Sequence, residues 1–157
     1  MTERLGIITL WILVALGVLL ISRFVFLSIF SKPPATLGLH DGRLAPCPSK
    51  RNCVSSTASG RSHSIAPLAA SGSQDEAMAS AREAIEGMPG ARIVTVDGPY
   101  LHAEFTSPLF RFVDDLELLW NGERQVLDVR SASRVGNSDL GVNRKRVEVL
   151  RRRLIGD

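Results

Sequence analysis

The sequence predicts an α+β protein: one N-terminal transmembrane helix, then an antiparallel sheet of about four strands with two helices on one face. Three observations predict this fold class: an apolar stretch near the N-terminus, strand-like alternation in the middle of the chain, and a helical pattern on each side of it. A length of 157 residues allows one folded domain. We therefore divide the chain into a membrane anchor (residues 1–31), a Pro/Ser/Ala-rich linker with a cysteine loop (32–72) and an α+β domain (73–157).

The N-terminal stretch, residues 5–30, carries a single charged side chain, Arg23. A bilayer core about 30 Å thick requires roughly 20 apolar residues of helix, so this stretch is long enough to cross it. A cleaved signal peptide would have a shorter apolar core, and the sequence after residue 27 offers no small-x-small cleavage site. We expect an uncleaved, single-pass anchor in the inner (cytoplasmic) membrane, with the lipid bilayer as the partner of residues 5–30.

Two signals oppose each other on the side of the membrane that the domain occupies. Positive charges follow the apolar stretch at Lys32, Arg43, Lys50 and Arg51, and such a count argues against export. Long folded domains, however, cross a membrane largely regardless of charge. The cysteines therefore carry more weight than the charges.

Cys47 and Cys53 are the two cysteines of the chain and lie in a segment of linker composition. A metal site could add His40 and His63, but the spacings are wider than the two to four residues that are typical of structural zinc pairs. A nucleophile, Cys53 or a neighbouring serine activated by His63, lacks a recognised local signature. We favour a disulfide bond, which requires an oxidising compartment and therefore supports a periplasmic domain.

Two helical segments flank the strands. Ser73 and Glu76 have the spacing of a capping box at the start of the first helix. Ser138 or Asp139 can cap the second helix, which Gly156 ends. The expected buried stripes are Met78, Ala81, Ile85 and Met88 on the first helix, and Leu140, Val147, Leu150 and Leu154 on the second.

The predicted strands include residues 100–106, which alternate between an apolar face and a wetter face that carries His102. We expect His102 at the surface. Asn121-Gly122 predicts a hairpin between the next two strands. A four-residue loop from Asn121 to Arg124 pairs Leu118 with Leu127 and Leu116 with Val129, sets Asp115 opposite Arg130, and leaves Glu117 facing Asp128 in solvent.

Several motifs occur in a recognisable order. They are Cys47-Pro48 and Asn52-Cys53-Val54-Ser55-Ser56, then Tyr100 to Phe105, Leu109 to Asp115, Val129 to Gly136, and Ser138 to Arg146. Together they resemble the uncharacterised family catalogued as domain of unknown function 1499, and the likeness covers about residues 44–155. The resemblance implies a fold family but no reaction. Because many members carry a signal or an anchor, it mildly supports an exported domain.

Charged residues of these motifs fall at strand ends or on the segment that follows the hairpin. They are Glu104, Arg111, Asp114, Asp115, Arg130, Arg134, Asp139 and Arg144. They form our candidate binding site. An enzyme would use Asp114 or Asp115 as a general base and Arg130 with Arg134 as an anion clamp. An ion-pair network that fixes the C-terminal part to the sheet is the commoner origin of such a cluster, and catalytic residues stay unassigned.

The last helix carries six cations, which we interpret as a solvated face because no nucleic-acid motif accompanies them. We expect no nucleic-acid partner, no metal and no cofactor. An unidentified small ligand or an envelope protein is the remaining candidate partner. The function that we expect is a membrane-anchored, periplasm-facing module for binding or for envelope structure; the alternative is a small enzyme that acts on an anionic substrate through its Asp/Arg cluster.

Overall fold

The helices and strands are those of a computed structural model, which describes residues 2–29 and 32–156. The helices are α1 (Thr2–Ile29), α2 (Gln74–Glu86) and α3 (Val142–Ile155). The strands are β1 (Leu39–His40), β2 (Arg43–Leu44), β3 (Cys53–Ser55), β4 (Leu68–Ala69), β5 (Ala91–Asp97), β6 (Tyr100–Thr106), β7 (Val113–Asn121) and β8 (Val126–Ser133). A mixed α+β fold with antiparallel sheets is confirmed. The division into anchor, linker and domain stays a prediction.

Helix α1 contains the apolar stretch that the sequence analysis singled out. Its 21 residues from Gly6 to Phe26 are long and apolar enough to cross a membrane. None of this stretch is buried against the rest of the described chain. Large side chains such as Trp11 and Leu19 are therefore exposed, at 67% and 68% of their surface.

The main sheet is larger than predicted, with six strands instead of about four. Its order is β3-β8-β7-β6-β5, and β4 pairs with β8 beside β3. Strands β3 and β4 lie in the segment that we expected to be a linker. They have three and two residues, too few for an alternating pattern to show in the sequence. Their edge position depends on pairing with β8, more than 50 residues away.

The hairpin of β7 and β8 has a register two residues away from the predicted one. Its four-residue loop runs from Gly122 to Gln125, so Leu118 pairs with Val129 and Glu117 with Arg130. Asp115 pairs with Ala132, and the predicted Asp115–Arg130 pairing is therefore wrong. A shift of two residues keeps every side chain on its face. Both registers bury the same apolar residues, and the buried Glu117–Arg130 ion pair exists only in the observed one.

One face of the sheet is apolar and contributes to the core. The core cluster contains Leu101, Ala103 and Phe105 of β6, Leu116 and Leu118 of β7, Leu127 and Val129 of β8, Met78, Ala81 and Ile85 of α2, and Val147 and Leu150 of α3. Since successive side chains of a strand point to opposite sides, His102, Asp115, Glu117 and Arg130 share the other face, termed the polar face. The packing of both helices on one face stays a prediction, which this shared cluster supports.

The sequence predicts the start of α2 correctly but not the start of α3. Ser73 and Glu76 form the predicted capping box of α2, because local spacing decides it. Helix α3 begins later than predicted, after Gly141, whose side chain cannot cap. Asp139 still accepts hydrogen bonds from the Gly141 and Asn143 amides. Leu140 was expected in the core but is 95% exposed, since it precedes the helix instead of lying on its stripe.

Candidate functional site

A segment termed the strap, residues 34–48, lies against the polar face. The Gly38 amide donates a hydrogen bond of 2.9 Å to Glu117 Oε1 on β7. Leu44 and Ala45 are buried. A disulfide bond between Cys47 and Cys53 joins the end of the strap to β3, as the sequence analysis favoured. The strap is therefore fixed at its middle and at its end.

A cavity of about 360 Å³, termed the strap cavity, lies between the strap and the polar face. The strap contributes Pro34 and Thr36 to its wall. Its polar lining comes from Lys50, Asn52, Asp115, Arg130, Ser133 and Arg134. This volume falls at the lower end of the range that small-molecule sites occupy, so a ligand of a few atoms fits it.

Asp115 is the centre of one charged network on the polar face. Its Oδ1 lies 2.8 Å from His102 Nε2, and Arg134 donates to both of its oxygens at 2.7 and 2.9 Å. Arg134 also donates to Glu104, which pairs with the exposed Arg92. His102 is only 6% exposed, so its expected surface position is wrong. The partner that makes its burial tolerable lies on the neighbouring strand, where sequence periodicity does not reveal it.

Glu117 is the centre of a second network and is completely buried. It accepts hydrogen bonds from Arg130 at 2.6 Å, from the Tyr100 hydroxyl at 2.9 Å and from the Gly38 amide. Asp128, which was expected to face Glu117, pairs with Leu119 instead. The strap and three strands thus meet at one carboxylate.

The surroundings of the two networks shift the pKa values of Asp115, Glu104 and Tyr100. Burial alone would raise the pKa of Asp115, but hydrogen bonds from His102 and Arg134 outweigh it and lower the pKa below its usual range. The pKa of Glu104 is lowered in the same way, with Arg134 and Arg92 outweighing burial. Burial and the neighbouring Glu117 carboxylate raise the pKa of Tyr100 far above that of a free phenol. Asp115 therefore stays ionised and Tyr100 stays neutral at physiological pH.

Four of the eight candidate residues lie outside these networks. Asp114 points away from the polar face and pairs with Arg146 of α3. Asp139 accepts from the first turn of α3. Arg144 donates to the Ser62 and Ser64 carbonyls, and Arg111 is exposed in the loop between β6 and β7. The structure brings together Glu104, Asp115, Arg130 and Arg134 on the polar face.

Comparison with known proteins gives a family but no function. The family model described as "Protein of unknown function (DUF1499)" matches residues 43–154, which is most of the chain. The chain belongs to the DUF1499 family. No curated protein and no solved structure matches it.

Two buried polar atoms in the DUF1499 region lack a hydrogen-bond partner among the described residues: Arg130 Nε and Asn52 Oδ1. Asn52 Nδ2 donates to the carbonyls of Ser133 and Gly136, which fixes the orientation of the amide and leaves Oδ1 as a free acceptor. Both residues line the strap cavity. A buried polar atom without a partner costs free energy, so each of these two atoms, which itself has almost no accessible surface, is an unmet donor or acceptor behind the wall of this DUF1499 cavity.

Cysteine chemistry in this DUF1499 domain is restricted to the disulfide bond. Both cysteines are joined, so neither can act as a nucleophile or a metal ligand. His63 lies 2.9 Å from the Cys53 carbonyl oxygen through its Nδ1. Within the part of the chain that the structure describes, no group of three or more His, Cys, Asp or Glu side chains could hold a metal ion.

Sequence reasoning missed several residues that organise the DUF1499 site. Glu117 was assigned to solvent and Tyr100 and Asn52 were given no role, although all three contact the networks or the cavity. Asn143 is completely buried and links α3 to Asn52 and Ser133. A usable signal was the spacing of Asp115 and Glu117, which places two carboxylates next to each other on one face of β7.

Proposed function

We propose that this protein is a single-pass membrane-anchored binding module of the cell envelope, whose C-terminal domain faces the periplasm and holds a small anionic ligand in the strap cavity. Helix α1 supports the anchor, because its predominantly apolar 21-residue stretch, which contains the one charge of Arg23, is exposed and would leave water inside a bilayer. The Cys47–Cys53 disulfide bond supports the compartment, because such bonds persist outside the reducing cytoplasm.

The observation that carries the binding function is the unpaired Arg130 Nε. Arg130 is 3% exposed and lines the cavity, and its Nε–H has no acceptor among the described residues. A guanidinium already paired with Glu117 through one nitrogen retains donors for an anionic oxygen. Lys50 adds an exposed cation to the wall of the same cavity. The chemistry of the site suits a carboxylate or a phosphate.

Asn52 narrows the ligand class further. Its unpaired Oδ1 is an acceptor and therefore suits a hydroxyl, an amide N–H or an ammonium group of the ligand. Asp115 also lines the cavity, but His102 and Arg134 occupy its oxygens. A small anion that also carries a hydroxyl or amino group supplies the kind of partner that each of the two unused atoms lacks.

The enzymatic alternative has weaker support. A general base needs a pKa near the working pH, whereas the pKa of Asp115 is lowered. Asp114, the other proposed base, is paired with Arg146 and lies away from the strap cavity. Binding without catalysis is therefore the function that the geometry supports best.

The test is mass spectrometry of small molecules released from the full-length protein after purification in mild detergent. We expect a stoichiometric anionic compound to be released from the wild type. Ala132→Leu should release much less of it, because the larger side chain at this position of the wall reduces the volume of the cavity. Lys50→Gln should weaken retention, whereas Lys145→Gln, an exposed lysine outside the cavity, should not. Equal retention by all variants, or nothing retained by the wild type, would contradict the proposal.

A further inference from the structure

The two most exposed leucines of the folded domain lie in neighbouring loops. Leu109, in the loop between β6 and β7, is 74% exposed, and Leu140, just before α3, is 95% exposed. The Arg134 amide donates to the Val113 carbonyl, so the end of β8 lies beside the beginning of β7. These two loops, residues 107–112 and 135–141, form what we term the loop end of the domain.

The backbone holds Leu140 outward. Its φ of +53° lies in the left-handed region, which a leucine rarely adopts. The Asp139 carboxylate fixes this turn by accepting the amides of Gly141 and Asn143. The domain therefore presents the large apolar side chain of Leu140 to solvent on a backbone that does not let it fold inward.

The chain from α1 reaches the domain at this same end. Pro34 lines the strap cavity together with Ser133 and Arg134, where β8 finishes. Helix α1 ends at Ile29, and the five residue steps to Pro34 span at most about 18 Å even when fully extended. If α1 lies in a bilayer, the loop end therefore stays close to the membrane surface.

The charges at the loop end complement a lipid surface. Arg111 is exposed in the first of these loops, and Lys145 is exposed in the first turn of α3 beside Ser107 and Pro108. Lys32 is exposed between α1 and the strap, and Lys50 is exposed at the cavity that Pro34 also lines. The nearby carboxylates are occupied: Asp114 pairs with Arg146, and Asp139 accepts backbone amides. Cations beside exposed leucines are typical of segments that bind the headgroup region of anionic membranes.

We propose that the loop end docks onto the bilayer that holds α1, with Leu109 and Leu140 inserted among the lipid headgroups and Arg111 and Lys145 next to anionic phosphates. This inference rests on the membrane anchoring in the proposed function and names the surface that the domain contacts. In this arrangement the loops of the domain contact the membrane, and the strap cavity lies close to the lipid headgroups.

The experiment uses the full-length protein in nanodiscs of phosphatidylcholine with phosphatidylglycerol. An environment-sensitive fluorophore is attached to the single free thiol of Leu140→Cys, of Leu109→Cys or of the control Ile155→Cys. Ile155 is 65% exposed and lies by Leu68 and Ala69, which pair with the hairpin end of β8. We expect blue-shifted emission and several-fold weaker quenching by acrylamide at positions 109 and 140 than at position 155.

A charge-reversal variant and a change of lipid test whether anionic headgroups hold the loop end. Arg111→Glu combined with Lys145→Glu should restore much of the quenching at position 140, and nanodiscs of phosphatidylcholine alone should do the same. Equal quenching at positions 140 and 155 in protein that remains in the nanodisc would overturn docking while leaving the anchor intact. Protein that does not enter the nanodisc at all would overturn both the anchor and the docking.

Discussion

At the scale of single residues, the Glu117–Arg130 pair is an ion pair buried under the strap. Both side chains are buried, at 0% and 3% exposure, so neither charge is screened by water. We predict that Arg130→Ala lowers the free energy of unfolding by about 3–5 kcal/mol, because it leaves the Glu117 carboxylate buried with only neutral donors. Denaturant unfolding of the full-length protein in detergent measures this change.

The matched control is Arg92→Ala. Arg92 also pairs with a carboxylate on the polar face, Glu104, but its side chain is 68% exposed. Exposed pairs contribute no more than about 1 kcal/mol, so this variant should unfold almost like the wild type. Similar losses for the two arginine variants would contradict the assignment of Glu117–Arg130 as a buried pair.

Tyr100 gives a second prediction at this scale, because it is the only tyrosine of the chain. Burial and Glu117 raise its pKa above the ordinary value of 10.0, so the phenol stays neutral in the folded protein at a pH at which it ionises in the unfolded protein. Stability from this group is therefore fully present below pH 10.0 and declines above it, until the folded phenol also ionises.

Ultraviolet absorbance of tyrosinate measures this titration directly. The folded protein should show no tyrosinate near pH 10, whereas the same protein in denaturant should be about half ionised. The free energy of unfolding of Tyr100→Phe should decline less steeply above pH 10.0 than that of the wild type, because the variant has no phenol at this position. A folded protein that titrates like a free phenol would contradict the Tyr100–Glu117 hydrogen bond.

At the scale of elements, the strap depends on the Cys47–Cys53 bond. Closing this short loop, with a sequence separation of 6, restricts the unfolded chain and should contribute about 2 kcal/mol to stability. We predict that the Gly38 amide exchanges its hydrogen faster in the double variant Cys47→Ser, Cys53→Ser than in the wild type. Amides in the middle of β7 should stay protected in both proteins. Hydrogen exchange followed by mass spectrometry measures both regions in one sample.

A reducing agent serves as the control for that comparison. It should reproduce the behaviour of the double variant in the wild type and leave the double variant unchanged. Uniformly faster exchange across β7 would show that the disulfide bond supports the sheet as a whole instead of the strap.

Local patterns explain which elements the sequence could predict. The capping box of α2 and the alternation of β6 depend on residues a few positions apart, and both were predicted correctly. The short strands β3 and β4 exist because β8 offers them an edge, and no local period marks them. The hairpin register was wrong by two residues because both alternatives bury the same leucines, and a long-range ion pair distinguishes them.

At the scale of the whole molecule, the structure brings together only part of the charged cluster that we named as the candidate site, and its role in binding stays a prediction. Glu104, Asp115, Arg130 and Arg134 do lie together, because strands of an antiparallel sheet place their polar sides on one face. The strap that closes this face could not be foreseen, since its composition is that of a linker. Because the strap covers the charged side chains of the polar face, a cavity forms there and two polar atoms beside it are buried without a partner.

We propose that the strap cavity binds a small anion. A crystal structure of the full-length protein, purified from membranes without exchange of bound compounds, would reveal that ligand. We predict density for a non-water molecule with an oxygen at hydrogen-bond distance from Arg130 Nε and a donor group close to Asn52 Oδ1. A cavity in which ordered water alone satisfies both atoms would contradict the claim.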